Sequence, residues 1–241
     1  MAAAKRTPRD ERRRRLGQNF LQADVAKTVV AEASFHPSDL VVEIGAGLGS
    51  LTFPLAEWVS QVLAVEVDPI LAARLRREIQ RRKITNVSVV CCDARRYRLP
   101  RRPFRAFGSL PFGATTGLMR HLLDDPGSQL ERADLVVQWE VARKRVAAPP
   151  STLLSAAWAP WWVFELGRRI SAEAFRPVPA VDTAVLRVRR REPAVLPFDL
   201  AGPFGEFLRD HWGVPGLPAD RGLRADAQDQ SSRTGEEEET A

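Results

Sequence analysis

Short apolar runs alternate with helical patterns through the middle of the chain. Five runs have the length and the flanking turn residues of buried strands: LVVEI (40–44), VLAVEV (62–67), VSVVC (87–91), AFGSL (106–110) and LVVQW (135–139). Between two of them, residues 69–83 carry apolar side chains at helical spacing. This alternation predicts an α/β fold, in which a parallel sheet has helices on both faces.

The pattern changes after Trp139. The segments WWVFELGRRI (161–170) and DTAVLRVRR (182–190) favour a late antiparallel pair of strands at one edge of the sheet, and residues 193–216 have little regular pattern. We expect four parts along the chain. They are a basic flexible arm (1–15), a main domain (16–192), a short C-terminal appendage (193–216) and a disordered polar tail (217–241).

Composition narrows the class of protein. The chain has 241 residues, 44% of them hydrophobic and 27% charged, which is typical of a soluble globular protein with one sizeable core. It has no apolar run long enough to cross a bilayer and no apolar signal segment at its N-terminus, so we expect a cytoplasmic protein without membrane contact. The adjacent Cys91 and Cys92 have neither disulfide nor metal-site spacing, and we expect no metal.

The charge balance permits a polyanionic partner. The formal net charge is +6 and the pI is about 10.1. Basic residues crowd the N-terminal arm, whereas the C-terminus ends in the acidic TGEEEETA.

A glycine-rich turn follows the first predicted strand. Gly45, Gly47 and Gly49 let the backbone turn tightly and approach a ligand closely beside a helix N-terminus. Ser50 stands where the nicotinamide-binding fingerprint has another glycine. Taken alone, the motif indicates either a ligand-binding loop or a purely structural turn.

Acidic residues follow the next two predicted strands. Glu66 lies 21 positions after Gly45, a spacing at which a carboxylate accepts hydrogen bonds from ribose hydroxyls, although a surface or helix-capping acid would look the same. Asp93 can accept a hydrogen bond from the adenine amine, or can form an N-cap or Asx turn. Together with the glycine loop, these residues favour an adenosine-containing cofactor at the carboxyl edge of the sheet.

The stretch GSLPF (108–112) indicates which cofactor. The Ser109 hydroxyl and the backbone carbonyls beside Pro111, which include that of Leu110, can accept hydrogen bonds from an exocyclic base amine. Phe112 can stack on a base that has left its helix, and the proline stiffens the loop. Amino-group methyltransferases use this arrangement, so we expect an acceptor site here and S-adenosyl-L-methionine as the cofactor.

Seven motifs stand in the order found in ribosomal RNA adenine N6-methyltransferases: GQNFL (17–21), EIGAGLGSLT (43–52), EVDP (66–69), CDA (92–94), SLPF (109–112), QWEVARKR (138–145) and FRPVPAVD (175–182). Over about residues 12–192 the chain most resembles the Erm type, which methylates 23S rRNA and confers macrolide–lincosamide–streptogramin resistance. The resemblance implies a class I S-adenosylmethionine-dependent methyltransferase sheet, Rossmann-like in form, with a helical C-terminal domain that helps to grip RNA. It implies a monomer acting on ribosomal RNA.

The resemblance also implies roles for individual residues. The cofactor site would be formed by Gln18, Asn19, Leu21, Gly45, Ala46, Gly47, Glu66, Val67, Asp93, Ala94 and Ser109. Ser109, Leu110, Pro111 and Phe112 would bind the target adenine, with Phe175 flanking it from the other side; core packing is the alternative for Phe175. RNA would be contacted by Arg12, Arg13, Arg14, Arg15, Arg143, Lys144 and Arg145.

Two departures from the family pattern keep other functions open. The family usually has asparagine where this chain has Ser109, and its helical domain usually continues well past RVRRREP (187–193). One alternative is the small-subunit (16S) rRNA adenine dimethyltransferase of ribosome maturation. The other is an RNA-binding or transcription-assisting module that retains the methyltransferase fold. Whether one or two methyl groups are added stays open.

Overall fold

A computed structural model describes residues 17–213. The expected basic arm (1–15), including Arg12, Arg13, Arg14 and Arg15, lies outside the described residues, as does the expected tail (217–241).

Seven strands form the central sheet in the order β4-β3-β2-β5-β6-β9-β7. Residues 17–213 contain nine strands: β1 (Phe20–Leu21), β2 (Leu40–Ile44), β3 (Gln61–Glu66), β4 (Val87–Cys91), β5 (Phe104–Ser109), β6 (Leu130–Gln138), β7 (Trp162–Ile170), β8 (Phe175–Arg176) and β9 (Thr183–Arg190). The first five in the order are parallel, whereas β9 runs antiparallel to both β6 and β7. The predicted parallel sheet with a late antiparallel pair is confirmed. The expectation that residues 87–91 are buried is wrong, because β4 is an edge strand and is only partly covered.

The described part of the chain has seven α-helices, of which the first six connect strands and the seventh follows β9: α1 (Ala23–Glu32), α2 (Thr52–Ala56), α3 (Pro69–Arg81), α4 (Thr115–Leu123), α5 (Trp139–Val146), α6 (Leu153–Trp158) and α7 (Ala201–His211). The start of α3 follows directly from its sequence. Asp68 caps the helix by accepting hydrogen bonds from the N–H groups of Ile70 and Leu71, and Pro69 occupies the first turn, where its missing N–H is not needed. Within residues 17–213, no helix combines the length and apolar character needed to span a bilayer.

Two hydrophobic cores cover opposite faces of the sheet. Successive strand residues point to opposite faces, so Val41 joins one core while Val42 joins the other. The same alternation separates Phe107 from Ala106 in β5. Burial on both faces explains why the parallel strands are almost continuously apolar in sequence.

A second, very short ladder joins distant parts of the chain. Strands β1 and β8 pair antiparallel over two residues, with Phe20 opposite Arg176 and Leu21 opposite Phe175. The ladder is extended by a hydrogen bond of 2.8 Å from the Gln22 N–H to the Ala174 carbonyl. It brings the motif at 17–21 beside the motif that begins at residue 175.

The C-terminal segment is more regular than its sequence indicates. Residues 193–216 were expected to have little pattern, but α7 forms over Ala201–His211. The helix contacts the main domain through Phe204, whose ring lies 6.0 Å from that of Trp161 in an edge-on arrangement. Tertiary packing rather than local propensity therefore stabilises this helix.

Candidate active site

The carboxyl ends of β2, β3, β4 and β5 meet at one edge of the sheet, where two neighbouring cavities open. The first, of about 80 Å³, is lined by Gly17, Gln18, Asn19, Phe20, Leu21, Glu43, Gly45, Ala46, Gly47, Ser50, Leu51, Glu66, Val67, Ser109, Leu110, Pro111, Phe112 and Phe175. The second, of about 370 Å³, shares part of that lining and adds Cys92, Asp93, Ala94 and Arg95. The structure thus brings together every residue from 17 to 213 that was predicted for the cofactor or the target base.

The glycine loop needs its glycines at two positions that line the first cavity. Gly45 and Gly47 have φ angles of +78° and +58°, in the left-handed region that side chains disfavour. A Cβ on Gly47 would also lie 3.0 Å from the Phe20 ring. The loop is therefore both turned and closely covered, as a cradle for a ligand requires.

Glu66 is held by backbone donors. Its carboxylate accepts hydrogen bonds of 2.8 Å from the N–H of Gly47 and of 2.8 Å from the N–H of Asp68. Burial raises the pKa of Glu66, and these two amides oppose that rise. Two N–H donors leave further lone pairs on the carboxylate, so Glu66 can still accept hydroxyl hydrogens from a ligand.

Glu43 is a buried carboxyl group in the first cavity that the sequence analysis missed. Its side chain is 0% exposed, and its Oε2 accepts a 2.6 Å hydrogen bond from the Thr52 hydroxyl. Its Oε1 has no partner within the described part of the chain. Burial raises the pKa of Glu43 to about 7, the Thr52 hydrogen bond opposes this, and the nearby Glu66 adds to it. A charged residue inside the apolar run LVVEI was the available sequence signal.

Asp93 takes the capping role that its sequence context allowed, and its predicted contact with an adenine amine stays a prediction. It caps the 3-10 turn Ala94–Arg96 by accepting from the Arg95 N–H, and it also lines the second cavity. The Arg95 guanidinium contacts both carboxylate oxygens, with an Nη2–Oδ2 distance of 2.6 Å. These hydrogen bonds lower the pKa of Asp93 and hold its carboxyl group against the Arg95 side chain.

We name residues 108–112 (GSLPF) the acceptor loop, and this loop is fixed at both ends. The Leu110 N–H donates to the Val136 carbonyl at 3.0 Å, and Phe112–Ala114 form a 3-10 turn that leads into α4. The Pro111 carbonyl accepts from the Ala114 N–H at 2.9 Å and from the Thr115 hydroxyl at 3.1 Å. The expectation that the carbonyls beside Pro111 accept hydrogen bonds from a base amine is wrong for the carbonyl of Pro111 itself. Both of its lone pairs already accept hydrogen bonds within the protein.

Two acceptors in the loop remain available. The Ser109 hydroxyl and the Leu110 carbonyl have no hydrogen-bond partner among residues 17–213. Both lie in the lining of the first cavity together with the half-buried Phe112 ring. The residues that carry these two acceptors and the aromatic ring therefore line one cavity.

Phe175 belongs both to a hydrophobic core and to the lining of the first cavity, so its predicted place beside the target base stays a prediction. Its side chain is only 1% exposed and packs in the hydrophobic core around β1, while one side of it contributes to the first cavity. The ring therefore forms a wall of the site, and the core-packing alternative describes its contacts better than a free stacking face does.

The basic residues of α5 do not act as one group. Arg143 and Lys144 are exposed, and Arg143 makes only a 3.4 Å ion pair with Glu140. Arg145 instead turns inward, and its Nη1 donates to the hydroxyls of Thr152 (2.8 Å) and Ser155 (3.0 Å). Burial lowers the pKa of Arg145. The prediction of an RNA contact by Arg145 is corrected, because these contacts hold α5 against α6.

The strand order of the central sheet and the cavities at its carboxyl edge agree with the methyltransferase class. The family model "Ribosomal RNA adenine dimethylase" matches residues 9–202. The chain belongs to this family, and it is an enzyme of the rRNA adenine N6-methyltransferase class. The resemblance inferred from the seven motifs is confirmed.

Individual relatives agree with the family. An rRNA adenine N-6-methyltransferase of Corynebacterium diphtheriae is 39% identical over 76% of this chain and 70% of its own length. The mycinamicin-resistance protein MyrB of Micromonospora griseorubida is 38% identical over 93% of this chain and 69% of its own. The crystal structure of the 23S rRNA methyltransferase ErmE superposes with a TM-score of 0.73 at 31% identity, covering 86% of this chain and 84% of that one.

Proposed function

We propose that this protein transfers a methyl group from S-adenosyl-L-methionine to N6 of an adenine in 23S rRNA, and that the modification confers macrolide–lincosamide–streptogramin resistance. The observation that carries the proposal is the common cavity onto which the acceptor loop and the glycine loop both open. A methyl donor and a base amine could meet there. The similarity to MyrB and to ErmE favours 23S rRNA and drug resistance.

The residues of the cavity fit this cofactor. The Gly45–Gly47 loop allows close approach of the ligand, the Glu66 carboxylate suits ribose hydroxyls, and Asp93 beside the apolar Val67 suits an adenine amine and ring. The cofactor is a cation with an ammonium group, and the unpartnered Glu43 Oε1 supplies a buried acceptor for such a donor. When bound, the cofactor supplies an electrophilic methyl group on a sulfonium.

The acceptor loop would prepare the amine nitrogen. The adenine amino group is a weak nucleophile because its lone pair is delocalised into the ring. Hydrogen bonds from the two amino hydrogens to the Ser109 Oγ and the Leu110 carbonyl would draw the nitrogen out of conjugation, and Phe112 would hold the ring by stacking. The loop is already anchored through the Pro111 carbonyl, so little ordering is needed when the base enters.

Labelled S-adenosyl-L-methionine and separate protein-free 23S and 16S rRNA test the proposal. Primer extension should stop at one adenine of 23S rRNA. A stop in 16S rRNA instead would establish the small-subunit enzyme, and the absence of label on both would contradict methyl transfer to rRNA. Phe112→Ala should raise the KM for RNA by about tenfold through the loss of stacking, whereas Phe112→Tyr should keep it.

Cofactor binding can be measured without turnover through Cys92. Its thiol lines the second cavity, whereas Cys91 is exposed, so Cys91→Ala leaves a single reporting thiol. S-adenosyl-L-methionine should slow alkylation of Cys92 in this variant. Protection without methyl transfer would support a binding module, and an unchanged alkylation rate would contradict the assigned cofactor cavity.

A further inference from the structure

An exposed group of arginines follows β4. The connection between β4 and β5 contains Arg95, Arg96, Arg98, Arg101 and Arg102, and all of them are exposed. Within residues 17–213, no carboxylate lies within 4.0 Å of Arg96, Arg98 or Arg101, whereas on α3 and just beyond it Arg81 and Arg82 both pair with Glu78. Neighbouring unpaired cations repel one another, so such a group favours a polyanion.

The first three of these arginines lie beside the acceptor loop; we name Arg95, Arg96 and Arg98 the arginine face. Tyr97, between two of them, is tied to α4 by a 2.8 Å contact of its carbonyl with the His121 Nε2. The Arg95 side chain also passes over the start of α4, where a Cβ on Gly117 would lie 3.2 Å from its Cδ. Helix α4 begins three residues after Phe112. Arg95 and the acceptor loop therefore flank the same cavity, and the exposed Arg96 and Arg98 follow within three residues.

This position suits the backbone of a single strand. A base that enters the cavity leaves its own sugar and its neighbouring phosphates at the rim. Ala94 and Arg95 line the second cavity together with Pro111 and Gly113, so this rim extends from the acceptor loop to the 3-10 turn Ala94–Arg96. Guanidinium groups bind phosphates in a forked geometry and carry no information about base sequence.

We propose that the arginine face binds the phosphates that flank the target adenine. This inference rests on the proposed RNA substrate and names the surface that holds it. Arg95 has a second duty, because its guanidinium orients Asp93 in the cofactor cavity. Arg96 and Arg98 have none that the structure describes, so they are the residues to change.

The test compares a double variant that removes both charges with one that keeps them. Arg96→Ala/Arg98→Ala should raise the KM for 23S rRNA by about tenfold and make the log–log salt dependence of binding shallower by about 1.4, the value for two single-strand phosphate contacts. The kcat and the KM for S-adenosyl-L-methionine should not change. Arg96→Lys/Arg98→Lys should restore most of the affinity, because the charge remains.

The control removes the same charge elsewhere. Arg74 and Arg77 are exposed on α3 and make no ion pair among the described residues, so Arg74→Ala/Arg77→Ala should change the KM for RNA less than twofold. Equal effects of the two double variants, or no effect of either, would overturn the arginine face while leaving methyl transfer by the unaltered enzyme intact. Failure of the unaltered enzyme to methylate rRNA would instead overturn the proposed function.

Discussion

Replacing Glu43 with glutamine should remove a specific dependence of stability on pH. Burial raises the pKa of this carboxyl group from 4.5 to about 7 in the folded protein. One pKa unit corresponds to about 1.4 kcal/mol, so ionising the buried group costs about 3 kcal/mol relative to the unfolded chain. The folded state binds the Glu43 proton more tightly than the unfolded chain does. The stabilisation that this proton provides is therefore fully present below pH 4.5 and is lost as pH rises through about 7.

The assay is urea unfolding at half-unit steps of pH. Between pH 5 and 7 the unaltered protein should lose about 1.4 kcal/mol of unfolding free energy per pH unit relative to Glu43→Gln, and the difference should level off above pH 8. Taking the difference cancels the titration of other groups, apart from the change that Glu43 causes in Glu66. Glu57→Gln removes an exposed carboxylate and should follow the unaltered protein. A constant difference at every pH would refute the reasoning.

Three further changes test particular contacts within the fold, each by urea unfolding. Gly108→Ala should destabilise the fold by about 3 kcal/mol, because the new Cβ would lie 2.4 Å from the Ile44 carbonyl oxygen, which is backbone and cannot move aside. Arg145→Ala should cost about 2 kcal/mol through its hydroxyl contacts and its position over the Trp158 ring, while the KM for RNA stays unchanged. Asp134→Ala should cost about 3 kcal/mol, because it removes the carboxylate shared by the buried Arg105 and the partly buried Arg132.

The parallel strands could be predicted because burial on both faces leaves a direct mark on the sequence. LVVEI and LVVQ contain almost no polar positions, and the turn residues around them mark the ends within a few residues. Once the strands are placed, the residues after them must gather at one edge, and Gly45, Glu66 and Ser109 do so.

Other parts of the fold depend on contacts that have no local pattern. The ladder between β1 and β8 is two residues long and joins positions about 155 residues apart in the sequence, so no periodic pattern predicts it. Helix α7 contains Gly202, Pro203 and Gly205, which disfavour helix formation, and it depends on the contact between Phe204 and Trp161. Sequence patterns report burial, whereas these elements depend on particular partners.

The direction of a single side chain is equally hidden. Arg143, Lys144 and Arg145 are consecutive and basic, so the sequence treats them alike. Successive residues of a helix point about 100° apart, and the third of them meets the hydroxyls of α6 while the first two face outward. A run of like charges on a short helix therefore predicts a basic surface only for some of its members.

Glu43 and Asp134 are buried carboxyl groups on the two strands that flank β5, and both are in register with Phe107. Their partners show which of them is buried for the fold and which for a ligand. Asp134 is 2% exposed, and its oxygens meet Arg105 at 3.3 Å, Arg132 at 2.8 Å and Arg187 at 3.6 Å, so the charge is compensated within the protein. Glu43 is 0% exposed, has one hydroxyl donor and leaves Oε1 unpaired. Folding alone gains nothing from an uncompensated acid, because an apolar side chain would avoid its desolvation. The unpaired Glu43 Oε1 belongs to a residue at the carboxyl edge, beside the glycine loop and the acceptor loop, where a cationic ligand would supply the missing donor.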